Sequence, residues 1–459
     1  MLKIYNSLNR QKEIFKPIQE GKINLYICGV TVYDYCHIGH ARTYTAFDVI
    51  IRYLKWRGYH VTHVRNITDI EDKIIKRANE NNENYQDVVN RFIKAMYEDF
   101  DALGISKPDH DPKATEYIPQ MIKMIEKLID NGYAYIGTNG DVYYEVRKFA
   151  NYGELAHRDI DQLESGARVD ISEVKRDPLD FVLWKLAKPN EPFWESPWGP
   201  GRPGWHLECS VMSTVLLGNT FDIHGGGKDL IFPHHENEIA QSEGATHCHF
   251  VNTWMHAGYL QINKEKMSKS LGNFFTIRDV LKDHHPETLR YFFTTSHYRS
   301  PLSYSEDALH QAHSSLCRFY TAMRDLPNVE APIDSEFEKK FVEAMDDDFN
   351  TPIALSVLFD LAHEIQRLRE KEPKMAAEYA GLLKKLGGIL GVLQHPPEEF
   401  LKSGTTDLDV KKIEELITLR NQARTNKNWA KADRVRAKLS AMSIVLEDGA
   451  EGTSWRYEK

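Results

Sequence analysis

Ile23-Asn24-Leu25-Tyr26-Ile27-Cys28, then His37-Ile38-Gly39-His40, the run from Gly39 to Trp56 and the segment Val61 to Ile67 decide the fold. The first six residues read as a short apolar strand ending at Cys28. From Gly39 to Trp56, Tyr44, Phe47, Ile51 and Leu54 fall on one stripe at helical spacing, and Gly58 stops the helix. Val61 to Ile67 reads as a second strand. Strand, helix, strand is a βαβ unit, so parallel strands in a nucleotide-binding type of sheet are expected. His37-Ile38-Gly39-His40 sits at the strand-to-helix turn. Helix N-termini favour anions, two imidazoles can donate to phosphate oxygens, and Gly39 lets a base approach the backbone. Four residues alone also arise by chance.

The bulk properties narrow the class. At 459 residues the chain is expected to hold roughly three or four domains. No apolar run approaches ~18 residues, which excludes a membrane-spanning helix, and Met1-Leu2-Lys3-Ile4-Tyr5-Asn6 lacks the apolar core of a signal peptide. Five dispersed cysteines point to a reducing cytoplasm without a disulfide framework. Cys36, Cys248 and Cys317 read as structural or incidental. A net charge of −9 argues against a protein coated in nucleic acid but leaves room for a local basic patch.

Cys28, Cys209, His234 and Glu238 offer two thiolates, an imidazole and a carboxylate, a plausible zinc shell. His234 and Glu238 stand four apart, which puts both on one helix face. The spacing is not local, and a lone cysteine is also a common buried hydrophobe. The position of Cys28 just ahead of the His37 turn sharpens the reading, because a metal there would sit beside a nucleotide.

Further along, helices are expected near Ile74–Ala78, Tyr85–Leu103 and Tyr117–Asn131. Tyr133 to Ile136 and Val142 to Val146 flank Asn139-Gly140, a hairpin signal. A Pro/Trp/Gly-rich stretch follows from Pro192 to Pro203, so Thr115–Pro203 reads as an insertion within the sheet domain. Strand-like, glycine-rich chain resumes at Phe221–Gly227. Lys266-Met267-Ser268-Lys269-Ser270 is a polar loop with two ammonium groups, suited to stabilising charge on departing pyrophosphate. After Pro301 the chain reads as almost all helical. Ala354, Leu358, Leu361, Ile365 and Leu368 form an apolar stripe, predicting a helix bundle to about Leu393. Arg420, Arg424, Lys427, Lys431, Arg434 and Lys438 recur at spacings of four and three, a single basic stripe if they share one helix. A solvated helix face has the same pattern. Trp429, set among these cations, is placed to stack on an unpaired base.

The His37–His40 and Lys266–Ser270 motifs, about 230 residues apart, resemble those of class I aminoacyl-tRNA synthetases. With Cys28, Gly201-Arg202-Pro203-Gly204-Trp205-His206-Leu207-Glu208-Cys209 and His224-Gly225-Gly226-Gly227-Lys228-Asp229 through His234-His235-Glu236-Asn237-Glu238, the chain resembles the cysteinyl-tRNA synthetases from end to end. Asn66-Ile67-Thr68-Asp69-Ile70-Glu71-Asp72-Lys73 fits too, with Glu71 a minor departure from the usual Asp.

The resemblance implies ATP-dependent activation of cysteine to cysteinyl-adenylate and transfer to the terminal ribose of tRNA(Cys). It implies one zinc per chain holding the substrate thiolate, and Mg²⁺ arriving with ATP. A serine hydroxyl is a harder and less acidic donor than a thiol, so a metal discriminates where an apolar pocket reaches only ~10²-fold. The insertion is short for an editing domain, which agrees. The implied roles place His37, Gly39, His40, Lys266 and Lys269 at ATP and Asp229 at its ribose. Thr68 and Trp205 belong to the substrate pocket, and Arg424, Trp429, Asp433 and Asp448 to the anticodon contact. The implied fold is α/β. A Rossmann-like catalytic domain (1–114 and 204–255) is interrupted by a connective insertion (115–203). A stem-contact region with the lysine motif (256–315), a helix bundle (316–393), a linker (394–406) and an anticodon-binding module (407–459) follow. A cytoplasmic monomer is the default. The nearest alternative is a related cysteine ligase acting on an aminosugar pseudo-disaccharide in a mycothiol-type pathway, which would not need the C-terminal module. A small nucleotidyltransferase and a non-catalytic tRNA- or zinc-binding protein are further alternatives.

Overall fold

The computed structural model describes residues 1–160, 174–262, 265–266, 274–332, 335–404, 407–449 and 452–457, with the side chains of 265, 266, 407 and 408 excepted. Lys269 and the side chain of Lys266 therefore lie outside the described residues. The chain forms two compact units. One holds Met1–Arg278, His297–Leu302 and Met345–Asn350; the other holds the remainder.

The first unit begins with a hairpin of β1 (Lys3–Asn6) and β2 (Gln11–Ile14). Then come β3 (Lys22–Thr31), α1 (Ile38–Trp56) and β4 (His60–Thr68), with β3 and β4 parallel. Helices α2 (Asp72–Asn81), α3 (Tyr85–Ala102) and α4 (Ile118–Asp130) follow. Strands β5 (Ala134–Ile136), β6 (Val142–Tyr144), β7 (Phe181–Leu186) and β8 (Gly201–Pro203) make a separate antiparallel sheet. Asn139-Gly140 turns its first hairpin, with Gly140 at φ +84. Helix α5 (Trp205–Leu217), β9 (Phe221–Gly227), α6 (Glu236–Thr246) and β10 (Val251–Ala257) return to the parallel sheet, whose order is β10-β9-β3-β4.

A parallel strand covered on both faces reads as a continuous apolar run rather than an alternation. β3 is such a strand: Ile23, Leu25, Tyr26, Ile27 and Cys28 are all buried. The α1 stripe holds as read, with Tyr44, Phe47, Ile51 and Leu54 buried against the sheet. One core runs from Tyr26 and Cys28 through Leu207 to Trp184 of the antiparallel sheet and Trp254 of β10.

The strand expected to end at Cys28 continues to Thr31, and its pairing with β4 shifts register between Ile27 and Val30. At the shift the Gly29 N–H donates to the Asn66 side chain (2.7 Å), and a Cβ on Gly29 would fall 1.5 Å from the Asn66 carbonyl oxygen. The bulge therefore requires glycine. It fixes where Cys28, one residue earlier, points.

The second unit is helical, with Pro286–Thr294, Glu306–Met323, Thr351–Leu368 and Pro373–Leu390 as its main helices. Ala354, Leu358, Leu361, Ile365 and Leu368 are buried, as the stripe requires. The stretch 394–406, read as a linker, contains a short helix, Pro397–Leu401, because Phe400 has a burial site: its ring stacks on Tyr320 at 4.3 Å. The chain then forms helices Asp407–Thr425 and Trp429–Ala441 and an antiparallel hairpin, Ile444–Gly449 with Gly452–Tyr457. These strands are an exception to the almost all-helical reading of the chain after Pro301. They pack Ile444 and Trp455 onto Ile413, Ile417, Val435 and Leu439, a small core of their own.

Leu25→Ala removes a fully buried side chain from the centre of the parallel sheet and should lower stability by about 2–5 kcal/mol. Ile136→Ala, at an exposed position, should cost under about 0.5 kcal/mol. Urea unfolding followed by circular dichroism distinguishes the two.

Candidate active site

Three separated elements bring four donors together. β3 supplies Cys28, α5 supplies Cys209, and the turn Ile231–His235 leading into α6 supplies His234, with Glu238 one turn on. All four are buried, and one ligand atom from each lies within 4.8 Å of the others. Cys28 Sγ is 3.7 Å from Cys209 Sγ and 3.5 Å from Glu238 Oε1, and His234 Nε2 is 3.1 Å from Glu238 Oε1. Zinc with bonds of about 2.0–2.3 Å in a tetrahedron spaces its ligands ~3.3–3.8 Å apart. The spacing and the S₂NO donor set are compatible with zinc. A second quartet, Cys28, His224, His235 and Glu238, shares two of the same residues.

The electrostatics of the cluster follow from its burial and its partners. Burial alone would push the Cys209 thiol up, but bonds to Cys28 and then to His234 bring it down to about 6. Burial likewise opposes the charge on His234, yet Glu238 and Cys209 raise it to about 10. Glu238 is held at about 2 against its own burial, by His224 first and His234 next. The Cys28 thiol is pushed well up by burial and by Cys209. Zinc ligation needs thiolates and a neutral imidazole, so binding there would release protons.

Several residues that carried no role in the sequence reading surround this cluster. His224 Nε2 lies 2.8 Å from Glu238 Oε2, and His206 Nδ1 lies 2.8 Å from His234 Nδ1. These contacts orient a carboxylate and a ring tautomer from outside, as partners of metal ligands do. His235 stands 3.3 Å from Cys28 Sγ and 2.8 Å from His256, which reaches Ser7 Oγ at 2.8 Å. Burial first, then neighbouring histidines, lowers His235 and His206, the latter to about 3. The available signal was adjacency: His206 is three residues from Cys209, and His235 directly follows His234.

A cavity of about 340 Å³ meets the cluster at Cys28, with His37, His40, Trp205 and Asp229 also among its walls. α1 begins at Ile38, with His37 as its cap. The His37 ring accepts from the His40 N–H at 3.2 Å, and the His40 ring faces the His37 N–H at 3.4 Å. The two rings stack with centroids 3.6 Å apart. This reciprocal cap holds both imidazoles at the positive end of the α1 dipole. The Trp205 ring, 38% exposed, lies 4.5 Å from the His234 ring. Thr68 is not among the cavity's lining residues. It is buried, and its hydroxyl donates to Glu208 at 2.7 Å.

In the C-terminal region the predicted single stripe is interrupted. The helix ends at Thr425 and a new one starts at Trp429, where the Asn428 side chain caps it by accepting from the Lys431 N–H. Arg420 is only 5% exposed and donates two bonds to Asp448, at 2.8 and 2.7 Å. Asp448 also accepts from Arg424 and Thr453, at 2.6 and 2.7 Å. Arg420 therefore locks the hairpin to the helix and is withdrawn from the exposed basic face. Arg424, Lys427, Lys431, Arg434 and Asp433 remain exposed, and Trp429 is 60% exposed.

Residues 14–314 match the family model of the class I (C) tRNA synthetase catalytic domain, and residues 340–394 match the DALR domain. A cysteine–tRNA ligase of Azotobacter vinelandii is 58% identical over 99% of both chains, and one of Coxiella burnetii is 57% identical over 100% of both. A Mycobacterium tuberculosis methionyl-tRNA synthetase structure aligns over 80% of this chain and 89% of its own with TM-score 0.58, at 14% identity, a likeness of fold. No described helix is long and apolar enough to cross a membrane. Because these relatives match from end to end, the aminosugar-ligase alternative is not favoured, and the chain belongs to the cysteine–tRNA ligases of the class I aminoacyl-tRNA synthetase family.

Proposed function

We propose that the cavity over Cys28 activates cysteine with ATP, and that the chain then transfers cysteine to the terminal ribose of tRNA(Cys). The observation that carries this reading is the soft donor cluster of Cys28, Cys209, His234 and Glu238, one member of which, Cys28, lines the same cavity as the capped His37–His40 turn. Zinc, when bound by those four residues, supplies a Lewis-acidic site that prefers a thiolate to a hydroxyl. Every other part of the task falls to the chain. His37 and His40, fixed at a helix N-terminus, take the phosphates of an ATP that brings Mg²⁺ with it. Gly39 keeps the base close to the backbone. Asp229 accepts from the ribose hydroxyls, and Trp205 covers the cysteine side. Thr68 bonds Glu208, the neighbour of Cys209, and stands outside the cavity wall. Adenylation is an in-line displacement by the substrate carboxylate, so the protein needs no nucleophile of its own. It orients the reactants and neutralises developing charge, a role assigned to Lys266 and Lys269 on sequence grounds.

Recognition of tRNA is assigned to residues 407–459. The support is an independent small core, an exposed Trp429 and the exposed cations Arg424, Lys427, Lys431 and Arg434. Asp433 lies on the same exposed helix, whereas Asp448 contributes by holding Arg420 and Arg424 in place. A cytoplasmic setting suits the chemistry, because two free thiols 3.7 Å apart must stay reduced to act as ligands.

Cysteine-dependent ATP–pyrophosphate exchange tests the reading, with serine activated at least ~10²-fold less efficiently. Cys209→Ser should lower bound zinc well below one ion per chain by elemental analysis, and undiminished zinc would remove the ligand assignment. Lys269→Ala should slow exchange on the order of 10²–10³-fold while ATP binding changes little, as judged by single-turnover kinetics. Trp429→Ala should weaken tRNA binding by about 1–3 kcal/mol in a filter-binding assay and leave exchange untouched. Binding should also weaken as salt rises, because the exposed cations act through phosphates.

A further inference from the structure

The chain from Phe274 to Ile277 runs alongside Cys36–Ile38. The Ile38 N–H donates to the Phe275 carbonyl at 3.1 Å, the Ile277 N–H donates to the Cys36 carbonyl at 2.9 Å, and His37 stands opposite Thr276. The Phe274 ring meets the His37 ring edge-on at 5.2 Å, and both residues line the cavity. A ladder this short has little stability of its own.

Arg278, the next residue, anchors the segment to α3. Its Nε lies 2.8 Å from Asp99 Oδ1, and its Nη2 donates to Glu98 Oε2 at 2.5 Å and to the Ala95 carbonyl at 3.1 Å, all on α3. The guanidinium also sits 5.0 Å over the Tyr35 ring, which packs edge-on against Phe92 of α3. Asp99 is 3% exposed, so its carboxylate depends on this cation, and taking away one partner of such a pair is strongly unfavourable. Arg278 itself is not among the cavity's lining residues.

We infer that Arg278 is a positioning residue for the nucleotide: it ties Phe274–Ile277 to α3 and so holds in place the wall against which His37 stands. The inference rests on the reading that this cavity takes ATP. The bond pattern explains why an arginine stands here. A planar fork reaches two carboxylates and a carbonyl at once, whereas an ammonium group on a flexible stem meets the same acceptors with less geometric control. A misplacement of ~1 Å far from the reacting atoms can cost ~10²-fold in rate.

Pyrophosphate exchange on the full-length protein, with ATP and cysteine varied separately below the melting temperature of every variant, tests this. Arg278→Ala should lower kcat/KM for ATP by roughly 10- to 100-fold and leave KM for cysteine within about twofold. Arg278→Lys should restore part of the loss. Wild-type kcat/KM for ATP in Arg278→Ala overturns the inference. So does a loss that affects both substrates equally and tracks the fraction of unfolded protein. If Arg278→Ala does not fold, Arg278→Lys and Asp99→Asn carry the same comparison between ATP and cysteine. His40→Ala separates the two levels. If it too leaves ATP kinetics unchanged, the cavity's assignment to ATP fails and the inference with it. If it impairs ATP use while the Arg278 variants do not, only the inference fails.

Discussion

Glu238 is the constraint around which the catalytic unit is built. A carboxylate fully out of water is several kcal/mol unfavourable unless it is paired and hydrogen-bonded. Here His224 takes one oxygen at 2.8 Å, and His234 and Cys28 approach the other at 3.1 and 3.5 Å. Those partners come from β9, the Ile231–His235 turn and β3. Satisfying one charge therefore fixes the relative positions of a strand pair and a helix start. Cys209 from α5 enters the same cluster and ties in the chain that returns from the insertion. The donors suit a soft metal because the residues that compensate the buried carboxylate are sulfur and imidazole rather than hydroxyl or ammonium.

The adjoining His37–His40 turn rests on a different device. α1 begins with two histidines that cap each other, so their orientation is decided by local backbone geometry. What is not local is the wall they stand against. Phe274–Ile277 reaches the turn from the far side of the sequence and is retained there by two backbone bonds and the Arg278 pairing with α3. The donor cluster and the His37–His40 turn thus have separate supports, the first in buried charge compensation and the second in a cap and a clamp. A substitution in one support is free to disturb one part of the cavity without the other.

The C-terminal helices show how ion pairing edits a charge pattern. A run of cations at helical spacing looks uniform along the chain. Once Asn428 starts a new helix and Asp448 claims Arg420, the exposed set is smaller and is spread over two helices and the turn between them, next to Trp429 at the start of the second. Lys and Arg are interchangeable in the pattern but not in this setting. The buried member is an arginine making a two-pronged contact with a carboxylate, which is the geometry that suits its fork.

The sequence by itself determined the parallel βαβ start, the α1 stripe, the Asn139-Gly140 hairpin and the bundle stripe from Ala354 to Leu368. The two stripes are written in a period of 3.6 residues and are buried as read, the βαβ strands are written as apolar runs, and the hairpin is written in a local turn. Cys28, Cys209, His234 and Glu238 were legible as a donor set because their chemistry is unusual, and the structure brings all four within ligand range. The rest was decided only by tertiary structure. No pattern along the chain reports that Gly29 bulges against Asn66, that Phe400 finds Tyr320, or that Arg420 is consumed by Asp448. His206, His224, His235 and His256 carried no role along the chain beyond their nearness to candidate ligands or motifs, and only the fold aims them at the cluster. The reason is physical: periodicity records which face of an element is apolar. Which polar groups must satisfy one another is fixed only when separate elements close around a buried charge.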